Sequence, residues 1–269
     1  MKIFFNKKKL EKIINIEKNL GFVPTMGCLH IGHISLIKQS MSISKKTIVT
    51  IFINKFQFNN SKDFTKYPRT LKRDIFLLKK LKVDFLYIPD SKEIFPKSKN
   101  KNIKIDKFEK QLCGAYRPGH FKAVVDVVDR FIKIIKPKYI FFGEKDMQQL
   151  KILEHYINKH YKNIIVIGCK TIREKNGIAC SSRNILLNSK ESFIAARIYN
   201  FLFKNKKKII NKKISILKVK NFFFNIGVSR VDYVKILDIN KIIKPYKKNQ
   251  NYKVFVAYFL NKTRLIDNI

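Results

Sequence analysis

A histidine pair near the N-terminus is the strongest chemical signal in the sequence. The segment from Pro24 to His33, PTMGCLHIGH, follows a short buried run, turns at a glycine and opens a predicted helix at about Gly32. Helix N-termini present unpaired N–H groups and the positive end of the helix dipole, so they bind phosphate. His30 and His33 lie on one side of the first turn, where imidazoles donate hydrogen bonds to phosphate oxygens as charge builds up. The alternative is a pair of surface histidines, which the surrounding strand, turn and helix disfavour.

A second segment, FFGEKDMQQ from Phe141 to Gln149, also runs from a predicted strand end into a helix. Lys145 can place a point charge on a phosphate, and Asp146 can hold ribose hydroxyls or water. Gln149, one helical turn further on, can hydrogen-bond a neutral or anionic substrate without charge repulsion. Taken alone, GEKD is equally typical of an exposed helix start.

Two further segments carry polar side chains suited to small ligands. In CSSRN, two serines and Arg183 suit a triphosphate because a guanidinium offers paired planar donors, although a helix cap with a surface arginine is the alternative. In FINKFQF, a buried strand ends near Asn54 and Gln57, whose amides suit a small polar substrate. In isolation, such amides are usually strand-end residues without a function.

The elements that must position these residues alternate along the first part of the chain. Apolar runs predict strands at 20–24, 47–54, 83–88, 139–142 and 164–167, and amphipathic stretches predict helices at 33–44, 69–82, 121–135 and 145–159. Strands separated by helices imply right-handed crossovers and a parallel sheet covered on both faces. Ligands of such sheets bind beyond the carboxyl ends of the strands, here in the loops after Val23, Asn54 and Phe142. The Lys-, Asn- and Ser-rich segment 91–110 is predicted to be a long surface excursion.

The pattern changes after residue 184. Helices at about 189–203 and 217–224 precede strand-like runs at 232–237, 253–259 and 263–266, which short loops would join into a small antiparallel sheet. We therefore predict an α/β fold, a Rossmann-like doubly wound parallel sheet with a smaller α+β C-terminal lid domain. The boundary is placed between Glu174 and Gly177, which gives domains 1–175 and 176–269.

The formal charge of +39 would ordinarily suggest a nucleic acid or an anionic membrane as partner. Only nine of the 58 basic residues are arginine, and the lysines are dispersed through every segment. Lys, Ile, Asn and Phe, which share A/T-rich codons, are abundant together. This indicates that the high charge follows from the composition of the genome. We therefore expect no dedicated nucleic-acid partner and no membrane partner.

The remaining composition indicates a cytoplasmic protein. The N-terminus interrupts its apolar residues with Lys and Glu, so no secretory signal is expected. The four cysteines (Cys28, Cys113, Cys169 and Cys180) lack metal-ligand spacing and are predicted to be reduced structural thiols. His120 is expected to cap a helix in a structural or supporting role, and His155 and His160 to face solvent. No nucleophilic triad order or GxxxxGK[ST] loop is present in the sequence.

Together these segments resemble the pantothenate synthetase family of HxGH nucleotidyltransferases. The resemblance covers nearly the whole chain and includes PTMGCLHIGHISLI, FINKFQF, DFTKYPRTL, CGAYRPGHFKAVVDVV, FFGEKDMQQL, TIREKNGIACSSRN and TRLIDN. It implies ATP-dependent condensation of pantoate with β-alanine through a pantoyl adenylate, releasing pyrophosphate and AMP. It also implies Mg²⁺ and a homodimer, to which the apolar helix 121–135 could contribute an interface.

The resemblance also implies roles for individual residues. His33 stands in the family's proton-donor position, with His30, Lys145 and Arg183 as its catalytic partners. Gln57 matches a residue that binds pantoate and β-alanine, and Gln149 one that binds pantoate. The implied ATP site comprises Met26, Gly27, Cys28, Leu29, His30, Ile31, Gly32, His33, Gly143, Glu144, Lys145, Asp146, Ile172, Cys180, Ser181, Ser182 and Arg183.

Three positions near this site depart from the family pattern. Cys28 stands where Ala is common, Cys180 where Met is common and Lys55 where Pro is common, so affinity or loop stiffness is expected to differ. Two rival hypotheses remain. HIGH is also a signature of class I aminoacyl-tRNA synthetases, although KMSKS is absent from the sequence. The second rival hypothesis is a basic nucleic-acid-binding protein that retains only the fold.

Overall fold

The computed structural model describes residues 1–100 and 102–269. Its strands are β1 (Lys2–Phe4), β2 (Leu20–Thr25), β3 (Lys46–Ile51), β4 (Phe85–Tyr87), β5 (Tyr139–Gly143), β6 (Ile165–Cys169), β7 (Arg230–Asp238), β8 (Tyr252–Leu260) and β9 (Thr263–Asn268). Its helices are α1 (Lys7–Ile14), α2 (Ile31–Ile43), α3 (Ser61–Lys66), α4 (Leu71–Lys80), α5 (Ser91–Ile94), α6 (Leu112–Tyr116), α7 (His120–Ile135), α8 (Met147–His160), α9 (Ser189–Ile210) and α10 (Ile216–Asn225). None of the described helices is long and apolar enough to cross a membrane.

The first six strands form one parallel sheet in the order β1-β4-β3-β2-β5-β6. From β2 the chain builds outward through β3 and β4 on one side, and later through β5 and β6 on the other. The strand order therefore reverses beside β2, and ligands of doubly wound sheets bind at such a reversal. The predicted parallel sheet is confirmed. The edge strand β1 was not predicted, because three residues are too few to show a periodic pattern.

The helix α7 lies inside the molecule. Thirteen of its sixteen residues are buried, and Phe131 packs edge-on against Phe22 and Tyr87 of the sheet. The prediction that this helix supplies a subunit interface is wrong, since the chain's own core already covers its apolar surface.

The segment 91–110 is also more buried than its composition indicates. Ile94, Phe95, Ile103 and Phe108 are all buried in the main core, and α5 begins within the segment. Most of the other described residues of the segment are exposed, in agreement with the predicted surface excursion. The four buried apolar side chains anchor it to the core, which the prediction did not include. Position 101 lies outside the described residues.

The C-terminal part of the chain forms a second layer with its own core. Strands β7, β8 and β9 pair antiparallel, as predicted, and pack against α9 and α10 through residues such as Ile198, Phe223 and Val256. An isolated bridge between Arg173 and Ala179 precedes this part. The exact domain boundary near residue 175 stays a prediction.

Candidate active site

The loops that follow β2, β3 and β5 surround one cavity of about 250 Å³. The predicted functional residues that line it are Met26, His30, Gly32, His33, Gln57, Gly143, Lys145, Asp146, Gln149, Ile172, Cys180, Ser181, Ser182 and Arg183. They come from distant segments of the sequence, and the parallel sheet brings them to one edge. The four residues expected to contact phosphate, His30, His33, Lys145 and Arg183, are among them.

The two histidines hold each other at the start of α2. His30 is the N-cap, and its Nδ1 accepts a hydrogen bond from the Gly32 amide at 3.1 Å. The Nδ1 of His33 accepts from the His30 amide at 3.4 Å, and the two rings lie 4.0 Å apart between centroids. Because both Nδ1 atoms accept, the proton of each neutral ring is on Nε2, and that N–H is free to donate to a ligand. A Cβ at Gly32 would lie 2.9 Å from the His30 ring, so the motif needs glycine there.

Burial keeps this pair neutral. Burial, with the nearby Lys145 cation, lowers the pKa of His30 to about 4. Burial, with His30 and Lys145, lowers the pKa of His33 to about 3. At neutral pH the pair therefore offers two neutral N–H donors to a phosphate, and no cation that a bound anion would have to neutralise.

A buried carboxylate holds the loop that precedes the histidines. Asp74 of α4 accepts hydrogen bonds from the amides of Cys28 at 2.8 Å and Leu29 at 2.9 Å. Its oxygens also accept from the Thr70 hydroxyl at 3.1 Å. Gly27 and Cys28 have positive φ angles of 76° and 50°, so the loop takes a left-handed path that these bonds stabilise. Asp74 was not predicted from the sequence.

The turn that carries Lys145 is held from the C-terminal sheet. Residues Glu144–Asp146 form a 3-10 turn at the end of β5, and the Lys145 ammonium lies 3.7 Å from the Asp146 carboxylate. The Asn268 side-chain amide of β9 donates to the carbonyls of Glu144 at 2.8 Å and Lys145 at 2.9 Å. Asn268 is buried, so these bonds fix the turn in a water-poor environment.

Arg183 is held by an ion pair at the cavity mouth. Its Nη2 lies 3.1 Å from the Asp63 carboxylate of α3, and its guanidinium lies 5.9 Å from the centre of the Tyr67 ring. The neighbouring Ser182 hydroxyl donates to the Cys28 carbonyl at 3.0 Å, which joins this segment to the histidine loop. Both parties of the ion pair are partly exposed, so a phosphate can replace Asp63 at modest cost.

The predicted substrate amide Gln57 lies beside the loop that follows β2. Gln57 contacts the Met26 sulfur through its Nε2 at 2.9 Å, and its Oε1 accepts from Asn54 at 3.3 Å. The Gln57 carbonyl is contacted by His120 Nδ1 at 2.8 Å and by Arg117 Nη2 at 3.1 Å. His120 is buried in this supporting position. The expectation that it caps the helix is wrong, since Gly119 is the N-cap of α7 and no side chain caps it.

Some residues of the predicted ATP site do not line the cavity. Leu29 is buried in the core, Ile31 is 62% exposed on the outside, and Gly27 and Cys28 shape the loop from behind. The Glu144 side chain passes close to Gly168 of β6. All four cysteines are free and buried, and burial raises the pKa of the Cys28 and Cys180 thiols, so both stay protonated.

A wider cleft of about 1080 Å³ separates this site from the C-terminal sheet. It shares Arg117, Lys145, Asp146, Ser181 and Arg183 with the smaller cavity, so the two spaces are continuous. No group of three or more potential metal-ligating side chains occurs within residues 1–100 and 102–269.

Comparison with known proteins agrees over the whole chain. The family model described as pantoate-beta-alanine ligase matches residues 2–269. The pantothenate synthetase of Fervidobacterium nodosum is 39% identical over 269 residues, covering 98% of this chain and 95% of that protein. The crystal structure of pantoate-beta-alanine ligase from Francisella tularensis, complexed with beta-gamma ATP and beta-alanine, is 34% identical with a TM-score of 0.84, and covers 100% and 97% of the two chains. The crystal structure of pantothenate synthetase from Thermus thermophilus is 29% identical with a TM-score of 0.89, and covers 100% and 99%.

Proposed function

The chain belongs to the pantoate–β-alanine ligase family, and we propose that the cavity at the carboxyl edge of its parallel sheet carries out both half-reactions. The protein is an amide-forming ligase that makes pantothenate from pantoate and β-alanine in an ATP-dependent reaction. The observation that carries the residue assignment is the convergence of His30, His33, Lys145 and Arg183 on one cavity that also contains Gln57 and Gln149.

In the first half-reaction, the pantoate carboxylate attacks the α-phosphorus of ATP. The attacking oxygen forms a P–O bond, and the bond to the β-phosphate oxygen breaks to release pyrophosphate. The Nε2–H groups of His30 and His33 donate to phosphate oxygens as negative charge builds up, and His33 has the proton-donor role. Lys145 and Arg183 neutralise charge on the departing pyrophosphate, and the Ser181 hydroxyl donates a hydrogen bond to it. Gln57 and Gln149 orient pantoate without adding a charge beside its carboxylate.

In the second half-reaction, the β-alanine amine attacks the acyl carbon of pantoyl adenylate. A C–N bond forms, the C–O bond to AMP breaks, and the proton lost by the amine passes to the departing AMP phosphate or to water. The neutral amides around the acyl group, and the wall of α7 behind them, exclude water that would hydrolyse the adenylate. The C-terminal domain acts as a lid across the wider cleft, which its position opposite Lys145 and Arg183 supports.

We propose that Mg²⁺ binds together with ATP. Asp146 is the carboxylate that lines the smaller cavity, and Mg²⁺ is commonly bound by one or two carboxylates together with substrate phosphates. Asp146 therefore suits an ion carried by ATP, and such an ion would supply charge neutralisation on the phosphates. We also propose a cytoplasmic homodimer, whose interface lies outside α7, and sedimentation at micromolar concentration measures its mass.

An exchange assay tests the first half-reaction directly. Labelled pyrophosphate should enter ATP in the presence of pantoate alone, and AMP should accumulate only after β-alanine is added. Folded protein without pantoate-dependent exchange would contradict the proposed site. A gel shift with tRNA across a salt series addresses the rival hypothesis, since tight sequence-selective binding at physiological salt would favour a nucleic-acid function.

A further inference from the structure

Arg117 lies between α6 and α7 and lines three spaces around the candidate site. It lines the smaller cavity, the wider cleft and a third pocket of about 40 Å³ between them and β7. Its Nη2 donates to the Gln57 carbonyl at 3.1 Å, and its Nη1 lies 3.1 Å from His120 Nε2. The guanidinium therefore lies beside the backbone of a residue expected to contact both acyl and amine substrates.

The proton positions around His120 fix the orientation of this guanidinium. The Gln57 carbonyl can only accept, so His120 Nδ1, 2.8 Å away, carries a proton and donates it. Burial, with the adjacent Arg117, lowers the pKa of His120 well below its ordinary value, so the ring is neutral and Nε2 is unprotonated. Nε2 then accepts from Arg117 Nη1. Two of the five guanidinium N–H groups are used in this way, and neither contact neutralises the charge.

Arg117 differs in this respect from the other arginines around the cleft. Arg183 pairs with Asp63 at 3.1 Å, and Arg230 and Arg264 pair with Asp232 at 3.2 Å and 2.8 Å. Among the described residues, no carboxylate forms a salt bridge with Arg117. Burial and the nearby Arg183 lower the pKa of Arg117 to about 10, which is still high enough to keep it cationic at neutral pH. A partly buried cation without a counter-ion is unfavourable until an anion binds it.

We propose that Arg117 binds the carboxylate of the amine substrate, β-alanine, and so selects an amino acid over a simple amine. This inference rests on the proposed function. The triphosphate is assigned to Lys145, Ser181 and Arg183, and the pantoate carboxylate must stay free to attack phosphorus. The β-alanine carboxylate is the remaining anion, and a planar guanidinium with free paired N–H groups is the donor that suits it.

The test compares two half-reactions in Arg117→Gln and Arg117→Lys. We expect pantoate-dependent ATP–pyrophosphate exchange within about twofold of the parent in both variants. The KM for β-alanine should rise by at least about thirtyfold in Arg117→Gln. It should rise less in Arg117→Lys, which keeps the positive charge and loses the paired N–H groups of the guanidinium. Propylamine, which has the same chain length without the carboxylate, serves as the comparison acceptor, and the parent's preference for β-alanine over it should fall by the same factor.

Each other outcome overturns the proposal. Exchange that falls in parallel with amide formation would show that Arg117 only supports Gln57. A raised KM for pantoate or ATP in the exchange assay would assign the guanidinium to another anion, and an unchanged preference over propylamine would show no carboxylate contact. Arg197→Gln is the matched control, because Arg197 lies on α9 against Phe193 and lines none of the three spaces. Absence of exchange in the parent protein would instead contradict the proposed function itself.

Discussion

The two walls of the proposed phosphate site are held in different ways. The histidine wall is fixed from within the first domain, since Asp74 holds the loop amides and the histidines cap their own helix. The opposite wall is held by groups from elsewhere: Asn268 of the C-terminal sheet holds the Lys145 turn, and Asp63 holds Arg183 through an exposed ion pair. One wall is held by its own local contacts, whereas the other depends on contacts from distant parts of the chain, one of which is a partly exposed ion pair.

Removal of an imidazole from the fixed wall should have the largest effect. His33→Ala is expected to lower turnover by at least about a hundredfold, because it removes a transition-state donor. Pyrophosphate exchange with pantoate measures the change. His155→Ala, on the outer part of α8, is the control and should keep full activity. Turnover near that of the parent would mean that the imidazole is misassigned.

The support of the fixed wall should matter next. In Asp74→Asn, one of the two carboxylate oxygens is replaced by an NH2 group, which faces a backbone N–H and cannot accept its hydrogen bond. We therefore expect a loss of about 2 kcal/mol in the free energy of unfolding. The displaced loop should also lower turnover by about thirtyfold. Asp84→Asn is the matched control, since Asp84 accepts from the Thr47 amide at 2.9 Å far from the cavity. Equal activity losses in the two variants would indicate a general stability effect.

The C-terminal support of the second wall gives a smaller expected effect. Asn268→Ala removes both bonds to the Lys145 turn and should lower kcat by about tenfold, with little change in the KM for pantoate. Asn205→Ala, which removes an amide-to-carbonyl bond within α9 of 2.9 Å, is the control. A pure rise in the KM for pantoate would argue against a role in positioning Lys145.

Removal of the ion pair between Asp63 and Arg183 should improve ATP binding rather than weaken it. Asp63→Asn frees Arg183 from its partner, so the KM for ATP should fall by about two- to fivefold, the range that an exposed ion pair supports. Initial rates at varied ATP measure it. A rise in the KM for ATP would instead mean that Asp63 itself helps to bind the nucleotide.

The fixed wall also predicts a pH dependence of stability. Above the ordinary pKa of 6.5, both histidines are neutral in the folded and unfolded chains and contribute no slope. Below it, the unfolded chain binds protons that the folded chain does not bind until the pH approaches about 4 for His30 and about 3 for His33. The free energy of unfolding should therefore fall as the pH is lowered through this interval. Urea unfolding of His33→Ala should show a shallower decline than the parent.

The sequence predicted the walls far better than their supports. His30 and His33 stand in a local strand–turn–helix pattern that by itself indicates phosphate chemistry, whereas the pattern around Lys145 is equally typical of an exposed helix start. Asp74 and Asn268 act on residues 46 and 124 positions away, and nothing near them in the sequence indicates those bonds. Arg117 stands in the RPGH segment, and its lack of a carboxylate partner becomes visible only in three dimensions.

The error about α7 and the missed anchors of segment 91–110 have a related cause. An amphipathic or apolar pattern predicts that one face of a helix will be buried, but it does not identify what buries that face. For α7 the pattern suggested a second subunit, whereas the helix is buried by its own chain. The lysines of segment 91–110 predict exposure, although four buried apolar side chains decide its path. The covering of α7 and the four anchors of segment 91–110 are both tertiary contacts that local composition does not specify.

The burial of α7 has a consequence for engineering acid specificity. Val124, Val127, Val128 and Phe131 line the substrate cavity and belong to the main core at the same time. Trimming any of them to admit a bulkier carboxylic acid would also remove packing from the sheet, at a cost of about 1 kcal/mol or more per site. A redesigned ligase of this scaffold would therefore need stabilising changes elsewhere before its acyl pocket is enlarged.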